Sequence, residues 1–193
     1  MPAVPENSDS EGFRERVREL FGSLQDLGVD ALGALFDLTS QRLVRYAATV
    51  TRNQHDAEDA VQTALVTLAA RPERLRGIDC PWAYLLRMVR NESLLIGRRK
   101  KRWLGLESLA DLFVVRRVDE VELQETHAVV WAALRRLPTD QAEVVVLKIW
   151  EDLTFAQIAE ILELSPNTAA SRYQYGMAKL QRSLSGRNVG VPQ

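Results

Sequence analysis

Two groups of residues in the sequence have side chains that could carry chemistry. The first group consists of four near neighbours, His55, Asp56, Glu58 and Asp59. Imidazole and carboxylate groups bind metals and transfer protons, so a metal-dependent hydrolase is one hypothesis for these residues. The other histidine, His127, lies far away in the sequence. The chain also contains no glycine-rich phosphate loop, Walker sequence or nucleophile elbow.

The same residues also fit the start of a helix. Asp56 is expected to cap the helix, and Glu58 and Asp59 in its first turn favour the positive end of the helix dipole. This interpretation needs neither a pocket nor a set of metal ligands. We therefore predict that the protein is not an enzyme, and that it needs no cofactor and no metal.

The second group is basic and aromatic. Its cations are Arg74, Arg76, Arg87, Arg90 and the run at 98–102, and among them lie Trp82, Tyr84, Asn91 and Trp103. Cations neutralise phosphates, planar side chains stack on unpaired bases, and an Asn amide can read a base edge. Taken alone, Trp82 and Tyr84 are more typical of a buried core. Five consecutive like charges, however, repel one another unless a polyanion is near, so the group predicts contact with nucleic acid.

A helix-turn-helix pattern lies between Thr154 and Leu184. Thr154 and Gln157 have the spacing of a capping box, which predicts the start of one helix. Ser165 and Pro166 predict the start of a second helix, because Ser caps helices and Pro suits their first position. Only two residues separate the helices, so we expect a steep angle between them. An ordinary helical hairpin also fits, but the pattern favours a second helix that enters the major groove of DNA.

Composition indicates where charge and core are placed. The chain has 193 residues, 46% of them hydrophobic, and a net charge of -1. Residues 36–102 carry 13 basic and 7 acidic side chains, whereas 103–127 carry 2 and 6, and 128–184 carry 6 of each.

The single Cys80 excludes an intrachain disulfide and favours a reducing compartment. No apolar run approaches the roughly 20 residues of a membrane span, so we expect a cytoplasmic protein.

Helical periodicity without a strand pattern predicts an all-α fold. We expect two helical domains, an N-terminal helical bundle and a C-terminal helix-turn-helix, joined by a linker. The expected boundaries are an N-terminal extension at 1–28, a first domain at 29–102, an acidic linker at 103–121, a second domain at 122–185 and a tail at 186–193. An apolar stripe from Phe13 to Leu24 predicts a helix that docks on the body, with docking on a partner as the alternative. A helix break is expected near Leu38–Ser40.

The order of these parts resembles that of an extracytoplasmic-function sigma factor. This family is a small branch of the sigma-70 superfamily, which directs bacterial RNA polymerase to promoters. The resemblance runs from about Asp30 to Leu184, and three motifs carry it. They are Asp-Ala-Glu-Asp-Ala-Val-Gln at 56–62, Leu75-Arg76-Gly77 followed by Trp82 and the run at 86–91, and the segment 137–180. They are similar to the family's polymerase-binding helix, to its -10 melting loop and helix, and to its -35 reading domain.

The resemblance implies a role for residues in each motif. Exposed carboxylates beside a helix N-terminus would bind the clamp helices of the largest polymerase subunit, through Asp56, Glu58, Asp59 and Gln62. The base pocket for the -10 element would involve Asn91 and the 75–79 loop, with Leu75, Arg76 and Gly77. Phosphate contacts there would come from Arg87, Arg90, Arg98, Arg99, Lys100, Lys101 and Arg102. The -35 duplex would face Ala170, Ser171, Gln174 and Tyr175, flanked by Thr168, Arg172 and Lys179.

The chain departs from the family pattern at several of its positions. Ala170, Tyr175 and Met177 stand where basic residues are common, Glu163 stands where Gly is common, and Leu95 replaces a frequent Asp. Since fewer phosphate contacts lower affinity and its salt dependence, we expect the -35 interaction to be weak.

The leading hypothesis is a promoter-specificity subunit with core RNA polymerase and promoter DNA as partners. An anti-sigma factor is a further candidate partner, and no membrane insertion is expected. Ser-Pro-Asn-Thr at 165–168 is also similar to the helix-turn-helix of LuxR-type regulators. The alternative is therefore a DNA-binding transcription regulator that acts without core polymerase, with 30–127 as a sensor or dimerisation module.

Overall fold

A computed structural model of the chain describes residues 7–27, 29–71, 77–103 and 125–185. These residues form eight α-helices and no strand, so the predicted all-α fold class is confirmed. The helices are α1 (Asn7–Leu27), α2 (Val29–Thr51), α3 (Gln54–Ala69), α4 (Pro81–Trp103), α5 (Glu125–Leu134), α6 (Thr139–Ile149), α7 (Phe155–Leu162) and α8 (Pro166–Ser185). They divide into two compact units, α1–α4 and α5–α8. Most of the expected linker and all of the tail lie outside the described residues.

The N-terminal helix α1 docks on the first unit, as its apolar stripe predicts. The buried members of that stripe are Val17, Leu20, Phe21 and Leu24. Phe13 meets Trp82 edge-to-face, with 4.9 Å between the ring centroids, and the guanidinium of Arg42 lies 4.0 Å from the Phe13 centroid. Trp82 is only 1% exposed, so it belongs to the core and has no free face on which a base could stack.

Helix α2 is continuous, and the expected break near Leu38–Ser40 is wrong. Thr39 is fully buried, and its hydroxyl donates a hydrogen bond of 2.6 Å to the carbonyl of Leu35. The polar side chain is thereby satisfied within its own helix, so it does not interrupt the backbone ladder. Further along α2, Leu43, Tyr46 and Ala47 are fully buried and continue the apolar face of the helix.

Helix α3 begins three residues earlier than a cap at Asp56 would require, so that prediction is wrong. Asn53 is the N-cap, and its side-chain oxygen accepts a hydrogen bond of 3.0 Å from the backbone N–H of Asp56. Asp56 therefore sits at the third helical position, inside the first turn. Asn is as good a cap as Asp, and here it precedes Asp56 along the chain.

The second unit begins both helices of its helix-turn-helix as the sequence predicts. The Thr154 hydroxyl accepts from the backbone N–H of Gln157, and the Gln157 side chain accepts from the backbone N–H of Thr154. The Ser165 hydroxyl accepts from the backbone N–H of Thr168 at 3.1 Å. The turn itself passes through Glu163, whose backbone is left-handed at φ 56°. Because a side chain disfavours this conformation, Gly would suit the position better.

Helix α8 packs closely on α6 at Gly176. A Cβ placed on Gly176 would lie 2.8 Å from a methyl carbon of Val145 and 3.4 Å from the backbone oxygen of Gln141. Val145 is fully buried and belongs to an unbroken buried run, Ala142–Leu147. The absence of a side chain at Gly176 therefore fixes how near the two helices can approach. Across the described parts of both units, no helix is long and apolar enough to cross a membrane.

Candidate nucleic-acid interface

One face of α3 presents polar and acidic side chains to solvent. Asp59 and Gln62 are exposed, and Glu58 is half-buried and accepts a hydrogen bond of 2.7 Å from the Gln54 amide. Val66, one turn beyond Gln62, is 67% exposed. The opposite face of α3 is buried in the first unit, from Ala57 to Leu68. The exposed face thus combines carboxylates, an amide and one apolar side chain within three turns.

Asp56 lies apart from that exposed face. It is only 8% exposed, which contradicts the expectation of an exposed carboxylate. Both of its carboxylate oxygens accept hydrogen bonds from the ammonium of Lys100, at 2.6 and 2.7 Å. A contact between residues 44 positions apart leaves no trace in local sequence pattern, so sequence reasoning missed it.

Helix α4 carries most of the residues predicted to contact -10 DNA. Arg87 and Asn91 are exposed and one turn apart, and the spacing continues through Leu95, Arg98 and Arg102. Steps of three and four residues place these five side chains on one stripe of the helix. Arg87 also lies over the ring of Tyr84, 5.7 Å from its centroid. The structure therefore brings an amide and three guanidinium groups together along one exposed line.

The remaining residues of this predicted set are more scattered. Arg90 is half-buried, whereas Arg99 and Lys101 are exposed. Gly77 is exposed and has a positive φ of 76°, a backbone conformation that Gly tolerates without strain. Leu75 and Arg76 lie outside the described residues.

Helix α8 presents a mostly uncharged surface in its first three turns. Thr168, Ser171, Gln174 and Tyr175 are exposed, with Tyr175 at 66%. Ala170, Arg172 and Lys179 are half-buried, and the Arg172 guanidinium lies 3.5 Å from the Asp140 carboxylate of α6. The predicted residues are thus on one helix, but Arg172, the cation within these turns, already faces the Asp140 carboxylate.

Two residues that sequence reasoning did not select are also exposed on these surfaces. Val66 extends the exposed face of α3, and Asn167 precedes Thr168 in the first turn of α8. The signal was available for Val66, because its four-residue spacing from Gln62 places it off the apolar stripe. Asn167 could have been selected because the N-terminal residues of a recognition helix are the ones that contact base edges.

The carboxylates near His55 do not assemble into a metal site in the described part of the chain. No group of three or more His, Cys, Asp or Glu residues is placed there to hold an ion. His55 is exposed, while the Asp56 carboxylate is held by Lys100. The geometry gives the hydrolase hypothesis no support.

Family models match the two units separately. The model described as Sigma-70 region 2 matches residues 35–103, and the model described as Sigma-70, region 4 matches residues 127–180. The first match contains α3 and α4 with their exposed faces, and the second contains the helix-turn-helix.

Curated relatives match along most of the chain. The ECF RNA polymerase sigma factor SigM of Mycobacterium tuberculosis is 31% identical over 161 residues, which cover 83% of this chain and 81% of the relative. The RNA polymerase sigma-E factor of Streptomyces avermitilis is 30% identical over 148 residues, which cover 76% of this chain and 81% of the relative.

Two solved structures share the fold. The sigma factor RpoE, in complex with the anti-sigma factor NepR from Bartonella quintana, superposes with a TM-score of 0.64 at 22% identity; the match covers 81% of this chain and 98% of that one. CnrH, in complex with the cytosolic domain of CnrY, gives a TM-score of 0.57 at 22% identity and covers 90% of this chain and 97% of that one.

Proposed function

The chain belongs to the extracytoplasmic-function sigma factors of the sigma-70 family, and on that premise we propose how its surfaces divide the work of a sigma subunit. As such a subunit of RNA polymerase, the protein serves transcription initiation. The proposal assigns core polymerase binding to α3, the -10 element to α4 and its preceding loop, and the -35 element to α8. A regulator that acts without polymerase is not favoured, because the region 2 match covers α3 and α4.

Core polymerase binds the exposed face of α3 in this proposal. Glu58, Asp59 and Gln62 would meet the clamp helices of the largest subunit, and the two carboxylates would pair with basic side chains there. Val66, exposed one turn further, adds apolar area to the same face. Asp56 would support this face from beneath without binding the polymerase itself, because its carboxylate is bound by Lys100.

The -10 element is bound by α4 and by the loop before it. Asn91 and the loop residues Leu75, Arg76 and Gly77 would accept the flipped base, which an amide can read at its edge. The cations would neutralise phosphates of the opened strands, through Arg87, Arg90, Arg98, Arg99, Lys101 and Arg102. The exposed stripe from Arg87 through Asn91 to Arg102 is the observation that supports this assignment.

The -35 element is read by α8 in the major groove. Ala170, Ser171, Gln174 and Tyr175 would face base edges, with Thr168, Arg172 and Lys179 at their flanks. This surface carries few cations, so its affinity for the -35 duplex in isolation is expected to be low. Core polymerase would hold α8 to DNA, because tethering raises the effective concentration of a weak contact.

An anti-sigma factor is proposed as a further partner. Both structural neighbours were solved in complexes, RpoE with the anti-sigma factor NepR and CnrH with the cytosolic domain of CnrY. A sigma factor works where RNA polymerase is, so we also propose a cytoplasmic location. In this proposal the protein acts as a binding subunit and has no catalytic activity of its own.

The single observation that carries the proposal is the coincidence of an exposed acidic face on α3 with a basic stripe on α4 in one unit. Run-off transcription with purified core polymerase and a genomic promoter library tests it. The proposal predicts promoter-dependent transcripts that are absent when core polymerase is used alone. No such transcripts, together with no binding to core polymerase, would defeat it.

A further inference from the structure

The C-terminal turns of α4 extend beyond the core of the first unit. Ser93 is the last described residue of this helix whose side chain is buried, and every residue from Gly97 to Arg102 is exposed. A cleft of about 260 Å³ separates these turns from the end of α2, and its lining includes Val50, Thr51, Leu94, Gly97 and Arg98. The segment proposed to hold phosphates therefore has little packing beneath it.

Charge repulsion acts on the same segment. Five consecutive cations, residues 98–102, repel one another along the helix. The negative end of the helix dipole offsets part of this repulsion, but that effect is small at an exposed helix end. Without another contact, the last turns of α4 would fray, as helix ends commonly do.

Lys100 differs from the other four cations of the run in the contact that its side chain makes. It follows Val89, Ser93 and Ile96 at steps of four, three and four residues, which places it on the side of the helix toward the body, although its side chain is 54% exposed. Arg102 follows Asn91 on the exposed stripe instead, while Arg98 and Lys101 line the cleft beside the end of α2. Within the described residues, Lys100 forms the side-chain hydrogen bonds that connect residues 97–102 to another helix, and both go to Asp56.

The partner of Lys100 is well placed to hold it. The Asp56 side chain is 12% exposed and sits in the first turn of α3, where Asn53 caps the helix and fixes the backbone of Asp56. Both carboxylate oxygens accept from the ammonium, and charge-assisted hydrogen bonds of this kind are shorter and stronger than neutral ones. The pair therefore joins the start of the proposed polymerase-binding helix to the end of the proposed DNA-binding helix.

We propose that Lys100 is a positioning residue that binds Asp56 and does not contact phosphate, so that this pair holds the cationic end of α4 in place for promoter DNA. The inference rests on the proposed function of α4. It replaces only one sequence-based expectation, namely that Lys100 contacts phosphate. When the segment is already ordered, the free energy of DNA binding does not include the entropy cost of ordering it. It also links the start of α3 to the geometry of the DNA-binding surface.

Hydrogen exchange of the sigma factor alone tests the structural half of the inference. Lys100→Ala and Asp56→Asn should both accelerate exchange of the amides at 98–103, with the rest of α4 unchanged up to Ser93. Arg102→Ala, from the same cationic run but on the exposed stripe, is the matched control and should leave exchange unchanged. Lys100→Arg keeps the pair and should restore protection. Circular dichroism confirms that each variant is folded before exchange is measured.

Promoter binding by the reconstituted holoenzyme tests the functional half. The probe is a promoter duplex selected with that holoenzyme, and affinity is measured at several salt concentrations. A phosphate contact contributes about one unit to the slope of log affinity against log salt, so Arg102→Ala should flatten the slope by about that amount. Lys100→Ala should instead lower affinity about threefold to tenfold at every salt concentration, with the slope unchanged, and Lys100→Arg should restore the affinity.

Three results would overturn the inference. A slope that flattens in Lys100→Ala as it does in Arg102→Ala would show a phosphate contact. Unchanged exchange in Lys100→Ala would show that the pair does not order the segment, and faster exchange with unchanged promoter affinity would show a structural role only. If the wild-type holoenzyme selects no promoter, the proposed function fails instead, and the exchange experiment still decides the role of the pair.

Discussion

Helix α4 of the first unit and helix α8 of the second unit differ in how they are packed and charged. In the described part of the first unit, α4 carries five cations past its last buried residue, and Lys100 among them forms an ion pair with Asp56 of α3. In the second, α8 is packed along its length, from Ala169 through Gly176 to Leu180, and its first three turns are nearly uncharged. Since the phosphate backbone dominates DNA affinity, we expect the first unit to supply most of the attraction to promoter DNA and the second to add a weakly charged contact.

Breaking the acidic face of α3 should have the largest effect. Asp59→Arg would place a cation where basic side chains of the polymerase are expected, and like charges face to face cost several kcal/mol. We expect affinity for core polymerase to fall about 100-fold in a direct binding assay. Asp37→Arg, the same reversal at an exposed position of α2, is the control. Equal affinities for the two variants would remove α3 from the polymerase interface.

Removing the amide of Asn91 should come next. Asn91→Ala is expected to slow open-complex formation about tenfold to 100-fold, because a base-edge contact is worth about 1–3 kcal/mol. Binding to core polymerase should not change, since Asn91 is on α4 and not on the exposed face of α3. Gln41→Ala removes an exposed amide from α2 and serves as control. Permanganate footprinting of the opened strands measures the effect, and normal opening by Asn91→Ala would refute the assigned base pocket.

The packing of α8 can be tested through Gly176. Gly176→Ala should destabilise the second unit by about 1–3 kcal/mol, because the added methyl overlaps Val145 in a full core. Gly97→Ala is the matched control: a Cβ there meets nothing within 4 Å, and Ala favours a helix by about 0.5–1 kcal/mol. Urea unfolding followed by circular dichroism should therefore show opposite signs. A stabilised Gly176→Ala variant would mean that the two helices are not in tight contact.

The smallest effect should come from the turn of the helix-turn-helix. Glu163→Gly is expected to stabilise the second unit by about 1 kcal/mol, because Gly adopts the left-handed backbone of this position without strain. Glu163→Ala keeps a Cβ and removes only the charge, so it separates backbone strain from electrostatics. Thermal unfolding of both variants gives the comparison; equal gains would point to charge instead of backbone conformation.

The sequence predicted features that depend on neighbours along the chain. The capping box at Thr154 and Gln157, the cap at Ser165 and the docked face of α1 are all encoded within a few turns. The fold class followed from the same local signals. These predictions succeeded because local hydrogen bonds and apolar spacing decide such features directly.

The sequence misled where a distant or competing partner decides the outcome. Asp56 could not be recognised as buried, because its partner Lys100 is 44 residues away, and Asn53 took the capping position instead. A break was expected near Leu38–Ser40, but the hydroxyl of Thr39 donates to the Leu35 carbonyl within a continuous helix. Tertiary contact and competition between equivalent caps explain these errors.

We propose that the first unit, more than the helix-turn-helix, holds promoter DNA. Run-off transcription by the reconstituted holoenzyme tests it with a selected promoter in which either the -10 or the -35 element is replaced by unrelated sequence. Replacing the -10 element should abolish transcripts, while replacing the -35 element should lower them about tenfold or less. Transcripts that survive replacement of -10 but vanish on replacement of -35 would contradict it.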